Sequence, residues 1–233
     1  MSTKRIFLLY LLLLTTGAFA QKNSKKDYLI TISTEFGDMM VILYDETPFH
    51  KTNFINLADT GFYNGTLFHR VIDGFMIQGG DPNSKKALKG AHLGSGDVGY
   101  TVPAEIRDNL FHKRGVIAAA RDNNPQKASS GCQFYIAQGK IFNDEELKMA
   151  ETRAGRKLTD DQKKYYKTIG GIPHLDGNYT VFGEVIKGLD VMDTIAKQDK
   201  DPYDRPLKDV KMTVSVKKIK KKKISKLYGY QYL

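Results

Sequence analysis

The residues with the clearest chemical capacity in this chain lie between positions 68 and 81. This stretch places one arginine, Arg70, and one glutamine, Gln78, among apolar residues of strand character, with Phe75 and Met76 between them. The sequence sets no metal-ligand cluster, phosphate-binding loop or activated nucleophile beside it. The stretch therefore predicts a guanidinium donor beside an apolar hollow, a combination suited to a reaction that breaks no covalent bond.

Rotation about an X-Pro peptide bond is a reaction of that kind. Resonance keeps the amide planar against a barrier of about 18–20 kcal/mol. Twisting the bond localises a lone pair on the proline nitrogen, so a donor aimed at that nitrogen stabilises the twisted state more than the planar one. Arg70 suits this task because its guanidinium is always charged and carries a rigid fork of donors. One charge-assisted hydrogen bond contributes about 1.5–3 kcal/mol, so apolar walls that hold the ring must supply the remainder.

Simpler interpretations of the same residues stay open at this point. On a surface strand, Arg70 would pair with Asp73 or Glu105. Phe75 and Met76 would both be core residues, except that adjacent strand residues point to opposite faces. One of the two must therefore leave the interior or lie on a bend, and the Asp-Gly pair before them favours a bend.

The first twenty residues predict a cleaved export signal. Lys4 and Arg5 form a basic start, and residues 6–14 are an unbroken apolar run. The small-x-small motif at 18–20 is one that signal peptidase accepts, so Gln21 should begin the mature chain. The apolar run is too short to span a bilayer, which makes an uncleaved anchor the less favoured alternative. We therefore expect an exported protein; the periplasm is the favoured location, and secretion stays open as the alternative.

The excess of positive charge lies near the C-terminal end. The chain of 233 residues has a formal net charge of +10, and its last seventeen residues include lysines at 217, 218, 220, 221, 222, 223 and 226. Such a tail either contacts anionic surfaces or forms a solvated strand end that blunts a sheet edge, and the second interpretation is favoured. No nucleic acid partner is expected of an exported protein. Tyr228, Tyr230 and Tyr232 alternate at strand period, which predicts that this end packs.

The cysteine and histidine content indicates no metal and no cofactor. Cys132 is the only cysteine, so no disulfide can form within the chain. It has no adjacent histidine or basic residue, which favours a small buried residue over a reactive thiol. His69 and His174 are isolated histidines without partners at metal-ligand spacing.

Short strands and turns dominate the chain from residue 28 to residue 216. Alternating apolar residues predict a hairpin over 28–44 and further strands over 66–72, 75–78, 115–120, 133–137, 180–185 and 210–217. Thr47 and Pro48 predict a helix start with Thr47 as the cap. Residues 189–196 carry a second amphipathic helix. Many short strands with two packing helices predict a closed β-barrel with helical caps.

Residues 140–171 interrupt that pattern with a charged segment of helical character. Asn143, followed by three acidic residues, predicts one helix. Thr159 and Gln162 form a capping box that predicts a second helix to about Lys167, ended by a pair of glycines. The segment is either a partner-binding element or a decorated loop, and the loop is favoured.

Five blocks of the sequence, in order, resemble the cyclophilin-type peptidyl-prolyl cis-trans isomerases. They are residues 68–81, 99–105, 115–120, 130–136 and 175–183. The resemblance, to exported bacterial members, implies an antiparallel β-barrel of about eight strands closed by two helices. It implies an enzyme that rotates X-Pro bonds of proline-containing polypeptides without a covalent intermediate. The organisation expected is a signal peptide at 1–20, a polar linker at 21–27, the isomerase domain at 28–216 and a basic extension at 217–233.

The resemblance also assigns roles to individual residues. Arg70 matches the catalytic arginine. Gln133, taken as the second catalytic residue, and Gln78 match the polar groups that orient the arginine and the substrate backbone. The remaining substrate-binding positions match Phe75, Met76, Ala120, Arg121, Tyr135, His174, Leu175 and Tyr179. Arg121 stands where the family usually acts through its backbone. Tyr135 stands where many members have phenylalanine, and we expect its hydroxyl to point outward at the rim.

Two rim positions depart from the better-known eukaryotic pattern. His174 replaces a tryptophan that donates to cyclosporin in many members, which predicts weak binding of that drug, and Tyr179 replaces a histidine. The alternative to an enzyme is a non-catalytic chaperone or scaffold module that holds proline-containing segments in the same groove. Intact Arg70 and Gln133 favour the enzyme. We expect a monomer that assists the folding of exported proteins.

Overall fold

The computed structural model describes residues 24–232; residues 1–23, which include the predicted signal peptide, and residue 233 lie outside the described residues. The strands of the described part are β1 (Lys26–Thr34), β2 (Gly37–Leu43), β3 (Phe68–Ile72), β4 (Met76–Gly79), β5 (Thr101–Val102), β6 (Val116–Ala119), β7 (Ser129–Ser130), β8 (Phe134–Ala137), β9 (Val181–Lys187) and β10 (Thr213–Lys220). Its α-helices are α1 (Pro48–Asp59), α2 (Asp144–Ala154), α3 (Asp160–Thr168), α4 (Leu189–Ala196) and α5 (Lys221–Tyr228). None of the helices within 24–232 has the length and apolar character needed to cross a membrane.

Eight strands form one curled antiparallel sheet with two unlike faces. Their order is β10-β1-β2-β9-β6-β8-β4-β3, while β5 pairs with β7 separately. Because successive strand residues point to opposite faces, each strand contributes to both. The inner face packs against α1 and α4 in the main core, which includes Ile30, Phe54, Ile77, Phe134 and Met192. The outer face carries a second apolar cluster that includes Met76, Val116, Ala118 and Tyr135.

The predicted eight-stranded antiparallel architecture is confirmed, whereas full closure of the barrel is not. β3 and β10 are the two edges of the sheet. The segments that precede them are linked by a bridge between Leu67 and Lys211. The backbone N–H of Phe68 also donates to the carbonyl of Val210 at 2.9 Å. The sheet is therefore a half-barrel whose edges meet near one end.

The start of α1 is stabilised by a residue far away in the sequence. Thr47 occupies the predicted cap position, but its side chain makes no cap hydrogen bond. The carboxylate of Glu105 instead accepts from the backbone N–H groups of Phe49 at 3.1 Å and His50 at 2.9 Å. It also lies 2.7 Å from Nδ1 of His50. Thr47 is thus the N-cap residue, as predicted, but its side chain does not cap the helix. A buried carboxylate instead satisfies the free N–H groups and complements the helix dipole.

The charged insert forms both predicted helices. Asn143 and Glu146 make a capping box at the start of α2, and Thr159 and Gln162 make one at the start of α3. The two helices share a small buried cluster that contains Leu147, Leu158 and Tyr166. α2 also packs against the short 3-10 turn Pro173–Leu175. The insert is therefore an ordered unit packed beside the sheet.

The basic C-terminal end begins as the end of the edge strand β10, as predicted, and continues as a helix that was not predicted. β10 leads directly into α5, and Ile224 of α5 is fully buried against Leu29 and Ile42. Three aromatic side chains pack around the same cluster, namely Tyr228, Tyr230 and Tyr232. The predicted packing of this end is confirmed, and the predicted strand period is wrong.

Both ends of the folded unit extend beyond the expected domain limits. Lys26 and Asp27, which the sequence pattern placed in the linker, pair in β1 with Lys220 and Ile219 of β10. Asp27 is buried and accepts from Nζ of Lys51 at 2.7 Å. The polar composition of these residues thus serves a buried ion pair rather than a linker.

Candidate active site

Strand register brings the predicted site residues together on the outer face of the sheet. Arg70 in β3 stands opposite Gln78 in β4. Gln78 stands opposite Tyr135 in β8, and Tyr135 stands opposite Ala118 in β6. Opposed residues of antiparallel strands share a face, with Cβ atoms about 4.5–5.5 Å apart. Residues that are distant in the sequence therefore form one continuous row.

The turn between β3 and β4 directs Phe75 towards the same site as Met76. Gly74 has a φ of +73°, a left-handed conformation that glycine adopts without steric cost. The N–H of Phe75 donates to the carbonyl of Ile72 at 3.0 Å and closes the turn. Phe75 therefore lies on the bend ahead of β4, which explains how two adjacent residues both contribute to the site.

A hollow of about 180 Å³ lies over this row. Its lining consists of Arg70, Phe75, Met76, Gln78, Ala120, Arg121, Tyr135, Leu175 and Tyr179, and we call it the proline hollow after the ring that the sequence predicts there. Pockets for drug-sized ligands measure about 300–1,000 Å³, so this smaller volume suits a single ring or side chain. Two of the residues predicted from the sequence, Gln133 and His174, lie outside the lining.

Arg70 is held at the proline hollow with much of its guanidinium exposed. Its side chain is 41% exposed, and its Nε lies 3.6 Å from Oδ2 of Asp204. Asp204 has a φ of +66°, which aspartate tolerates better than most residues, and accepts from Nζ of Lys200 at 2.7 Å. The partner of Arg70 is therefore neither Asp73 nor Glu105. One face of the arginine is fixed by this pair, while the exposed part can donate to a ligand.

Gln133 supports Gln78 from behind. Nε2 of Gln78 donates to Oε1 of Gln133 at 3.1 Å. Nε2 of Gln133 donates to the carbonyls of Gly94 at 2.9 Å and Gly96 at 2.8 Å. Because carbonyls only accept, these two contacts fix the orientation of the buried amide. Both polar ends of Gln133 are thus engaged within the protein, and its effect on the proline hollow passes through Gln78.

The hydroxyl of Tyr135 points into the protein, so its predicted position at the rim is wrong. Tyr135 is 5% exposed, and its hydroxyl lies 2.8 Å from Nε2 of His112. Nδ1 of His112 lies 2.8 Å from Oδ1 of Asp176. Since a carboxylate only accepts, Nδ1 of His112 donates to Asp176, and Nε2 pairs with the hydroxyl of Tyr135. Burial raises the pKa of Tyr135 well above its ordinary value, so the hydroxyl stays protonated and the proline hollow is lined by the apolar ring.

The same hydrogen bonds connect the proline hollow to the insert. Oδ2 of Asp176 accepts from the hydroxyl of Tyr166 in α3 at 2.7 Å. All four residues of this hydrogen-bonded series are buried, namely Tyr135, His112, Asp176 and Tyr166. Sequence reasoning missed the roles of His112 and Asp176. The available signal was Asp176 itself, because an acidic residue between apolar neighbours needs a partner when it is buried.

Arg121 and Tyr179 form one side of the rim. The guanidinium carbon of Arg121 lies 4.9 Å from the ring centroid of Tyr179, and its Nε donates to the carbonyl of Asn178 at 2.9 Å. Tyr179 packs edge-on against Tyr135 with 6.0 Å between the ring centroids. The side chain of Arg121 therefore lines the proline hollow, in addition to any role of its backbone.

His174 stacks on the outer side of Phe75. The two ring centroids lie 5.7 Å apart with an angle of 15° between the planes. Burial lowers the pKa of His174, and the nearby charge of Arg153 lowers it further. The imidazole is therefore neutral at pH 7, and the stack presents an apolar surface.

Two residues near the site, Cys132 and His69, are buried. Cys132 is 3% exposed, and burial raises the pKa of its thiol to about 11, so the prediction of a small buried residue is confirmed. His69 is buried, and neither of its ring nitrogens has a hydrogen-bond partner among the described residues. Within residues 24–232, no group of three or more His, Cys, Asp or Glu side chains is placed to hold a metal ion.

Comparisons with known proteins indicate one family. A family model for the cyclophilin type peptidyl-prolyl cis-trans isomerase/CLD matches residues 29–216. The peptidyl-prolyl cis-trans isomerase CYP18-1 of Arabidopsis thaliana is 35% identical over 186 residues, which cover 78% of this chain and 91% of that protein. A crystal structure of a cyclophilin type peptidyl-prolyl cis-trans isomerase of Cryptosporidium parvum matches with a TM-score of 0.59 and 25% identity, covering 82% of this chain and 98% of that one. Another structure of the Cryptosporidium protein, in the presence of the dipeptide Ala-Pro, gives a TM-score of 0.58 at 25% identity, with 81% and 98% covered.

The chain belongs to the cyclophilin-type peptidyl-prolyl cis-trans isomerase family. It is an enzyme that interconverts the cis and trans forms of X-Pro bonds, and its substrates are proline-containing peptides. The half-barrel with packed helices is the fold of that family. The enzyme is thus preferred over a non-catalytic module that only holds proline-containing segments.

Proposed function

We propose that Arg70 stabilises the twisted X-Pro amide while the proline ring occupies the proline hollow. The observation that carries this proposal is the placement of a partly exposed guanidinium at the edge of an apolar hollow sized for one ring. As the amide twists, its nitrogen gains a lone pair that accepts a hydrogen bond from the guanidinium. This interaction is stronger in the twisted state than in the planar state, which is the condition for accelerating the rotation.

One hydrogen bond from Arg70 provides only part of the reduction in the rotation barrier, so the walls of the proline hollow must provide the rest. A charge-assisted bond contributes about 1.5–3 kcal/mol, or about one to two powers of ten in rate. Phe75, Met76 and Leu175 add to this by holding the ring still while the other half of the bond turns. The ring of Tyr135 keeps the floor apolar because its hydroxyl is bound to His112, and an apolar setting disfavours the more polar planar amide.

We assign Gln133 a positioning role in this mechanism, in place of the catalytic role expected from the sequence. Its amide is committed to Gln78 and to two backbone carbonyls. It therefore fixes the side chain of Gln78, which lines the proline hollow beside Arg70.

The role of Arg70 is tested by Arg70→Ala. We expect kcat/KM for an Ala-Pro peptide to fall at least tenfold, which corresponds to the loss of about 1.4 kcal/mol of transition-state stabilisation. Cis–trans exchange measured by NMR gives the rate, and circular dichroism checks the fold. The matched control is Arg107→Ala, since Arg107 is an exposed arginine outside the proline hollow. Unchanged turnover in Arg70→Ala would show that the donor is another group.

We also propose that the enzyme acts on exported proteins as they fold. The support is the basic start at Lys4 and Arg5, the apolar run at 6–14 and the cleavage motif at 18–20. Expression in a bacterium followed by cell fractionation and N-terminal sequencing tests this proposal. Periplasmic protein beginning at Gln21 is the expected result, and cytoplasmic protein that keeps residues 1–20 would contradict it.

A further inference from the structure

A second pocket lies beside the proline hollow on the side of the insert. Its volume is about 280 Å³, and Phe75 lines both cavities. The Phe75–His174 stack forms a ridge between them. We call this cavity the flank pocket, and its other walls include Phe142, Met149, Ala150, Arg153 and Ile172.

Apolar side chains make up much of the flank pocket. Ala150 and Ile172 are buried, whereas Met149 of α2 is 60% exposed despite its large apolar side chain. Methionine is flexible and polarisable, which lets it pack against side chains of different shapes. The ridge adds a further apolar wall, since His174 is neutral at pH 7. The flank pocket therefore suits an apolar side chain from a ligand.

Arg153 adds a positive charge to this lining. The other charged pair of the pocket, Lys140 and Glu146, lies 2.6 Å apart and neutralises itself. The ion pairs among the described residues of the insert use other cations, namely Lys140, Arg156, Lys157, Lys163 and Lys167. The charge of Arg153 is thus available to a carboxylate that approaches the flank pocket.

The two cavities are adjacent because Phe75 lines both of them. An extended polypeptide advances about 3.3–3.6 Å per residue. A residue close to the proline in the sequence of an extended substrate can therefore reach the flank pocket. The volume of about 280 Å³ is also below the usual range of about 300–1,000 Å³ for drug-sized ligands, so it suits a side chain.

We propose that the flank pocket is a substrate subsite for a residue flanking the X-Pro bond, an inference that rests on the function proposed for the proline hollow. It binds a medium-sized apolar side chain close to the proline in the substrate sequence, and Arg153 favours an acidic residue next to that side chain. The insert is then a specificity element rather than a decorated loop.

The direct test compares peptides that share one central Ala-Pro bond. One peptide has alanine on both sides of the Ala-Pro bond. The others carry the dipeptide Leu-Glu or Leu-Lys in the two positions directly before or directly after the central Ala-Pro pair. We expect the Leu-Glu peptide to have a kcat/KM at least threefold above that of the alanine peptide on one of the two flanks. Its kcat/KM should also be about threefold above that of the Leu-Lys peptide, which is the effect expected of one exposed charge pair.

Substitutions in α2 connect this preference to the flank pocket. Arg153→Glu should reverse the order of the Leu-Glu and Leu-Lys peptides, and Met149→Glu should abolish the preference for leucine over alanine. Lys148→Glu is the matched control, because it makes the same charge change in an exposed position of the same helix outside the pocket lining. This control should keep the preferences of the unaltered protein.

Each outcome separates this inference from the proposed function. Normal turnover of the alanine peptide with equal kcat/KM for every flank would overturn the subsite and leave the proposed function intact. Flank preferences that persist in both Arg153→Glu and Met149→Glu would place the specificity elsewhere and overturn the assignment. Absence of turnover for all peptides would remove both proposals.

Discussion

His69 is a buried base next to Arg70 in the sequence, and its environment makes the protein sensitive to acid. Burial lowers the pKa of His69 from its ordinary value of 6.5 to about 4. The unfolded chain therefore binds a proton at this residue first as the pH falls. Between pH 6.5 and pH 4 the unfolded state carries more protons, so the free energy of unfolding decreases with falling pH. The full decrease in the free energy of unfolding that His69 causes is about 3 kcal/mol.

The variant His69→Leu should flatten this dependence. We expect the free energy of unfolding of His69→Leu, measured by urea titration at several pH values, to change less between pH 6.5 and pH 4 than that of the unaltered protein. Above pH 6.5 both states hold neutral His69, and no such difference is expected. His92→Leu serves as the control because His92 is exposed. An equal pH slope in both variants would exclude His69 as the source.

Tyr135 marks how far single residues could be predicted from the sequence. All nine residues that line the proline hollow were predicted, because the family resemblance assigns each of these positions to substrate binding or catalysis. The direction of the Tyr135 hydroxyl was predicted wrongly. It depends on His112 and Asp176, which reach it from separate segments, and no local pattern encodes that contact.

At the scale of elements, the start of α1 depends on the carboxylate of Glu105. We expect Glu105→Gln to lower the free energy of unfolding by about 1–3 kcal/mol, because the amide cannot offer two acceptor oxygens to the backbone N–H groups of Phe49 and His50. The neutral side chain also loses its interaction with the helix dipole. Urea titration at pH 7 provides the measurement.

The control for this prediction is Glu46→Gln. Glu46 is an exposed carboxylate close to the start of the same helix in the sequence, and exposed substitutions change the free energy of unfolding by less than about 0.5 kcal/mol. Equal losses in the two variants would show that general charge, rather than the cap, is responsible.

The elements whose signals are local were predicted well, and those that depend on distant partners were not. Both helices of the insert begin at capping boxes that are complete within four consecutive residues, and both were predicted. The start of α1 was predicted, but its capping side chain was assigned to Thr47 because Glu105 is remote in the sequence. α5 was missed because its lysines suggested a solvated strand. Its signals were Ile224 and Tyr228 at helical spacing and Gly229, which has a φ of +68° and ends the helix.

At the scale of the whole molecule, α5 covers the outer side of the first hairpin. Ile224→Ala should lower the free energy of unfolding by about 2–5 kcal/mol, because it leaves a cavity against Leu29 and Ile42. Leu227→Ala in the same helix should have little effect, since Leu227 is 56% exposed. Comparison of the two variants by urea titration measures the contribution of the helix. Similar values for both would mean that α5 is only loosely attached.

The completeness of the sheet could not be predicted from strand patterns alone. Alternation fixes which strands exist and which face is buried, but closure depends on how the edges β3 and β10 approach each other. Their link passes through Leu67 and Lys211, which the sequence pattern predicts as strand residues but which form only an isolated bridge. The family resemblance predicts the architecture, and the structure shows that the sheet is open between its edge strands β3 and β10.

The burial of Cys132 has a practical consequence for how the enzyme matures and is handled. A thiol with a pKa of about 11 is almost wholly protonated at pH 7, and the thiolate is the form that attacks disulfides and reacts with oxidants. Since this is the only cysteine of the chain, the native protein neither needs a disulfide nor readily forms a mixed one. The enzyme should therefore reach the same active form with or without reductant, and its specific activity should be indifferent to the glutathione redox ratio.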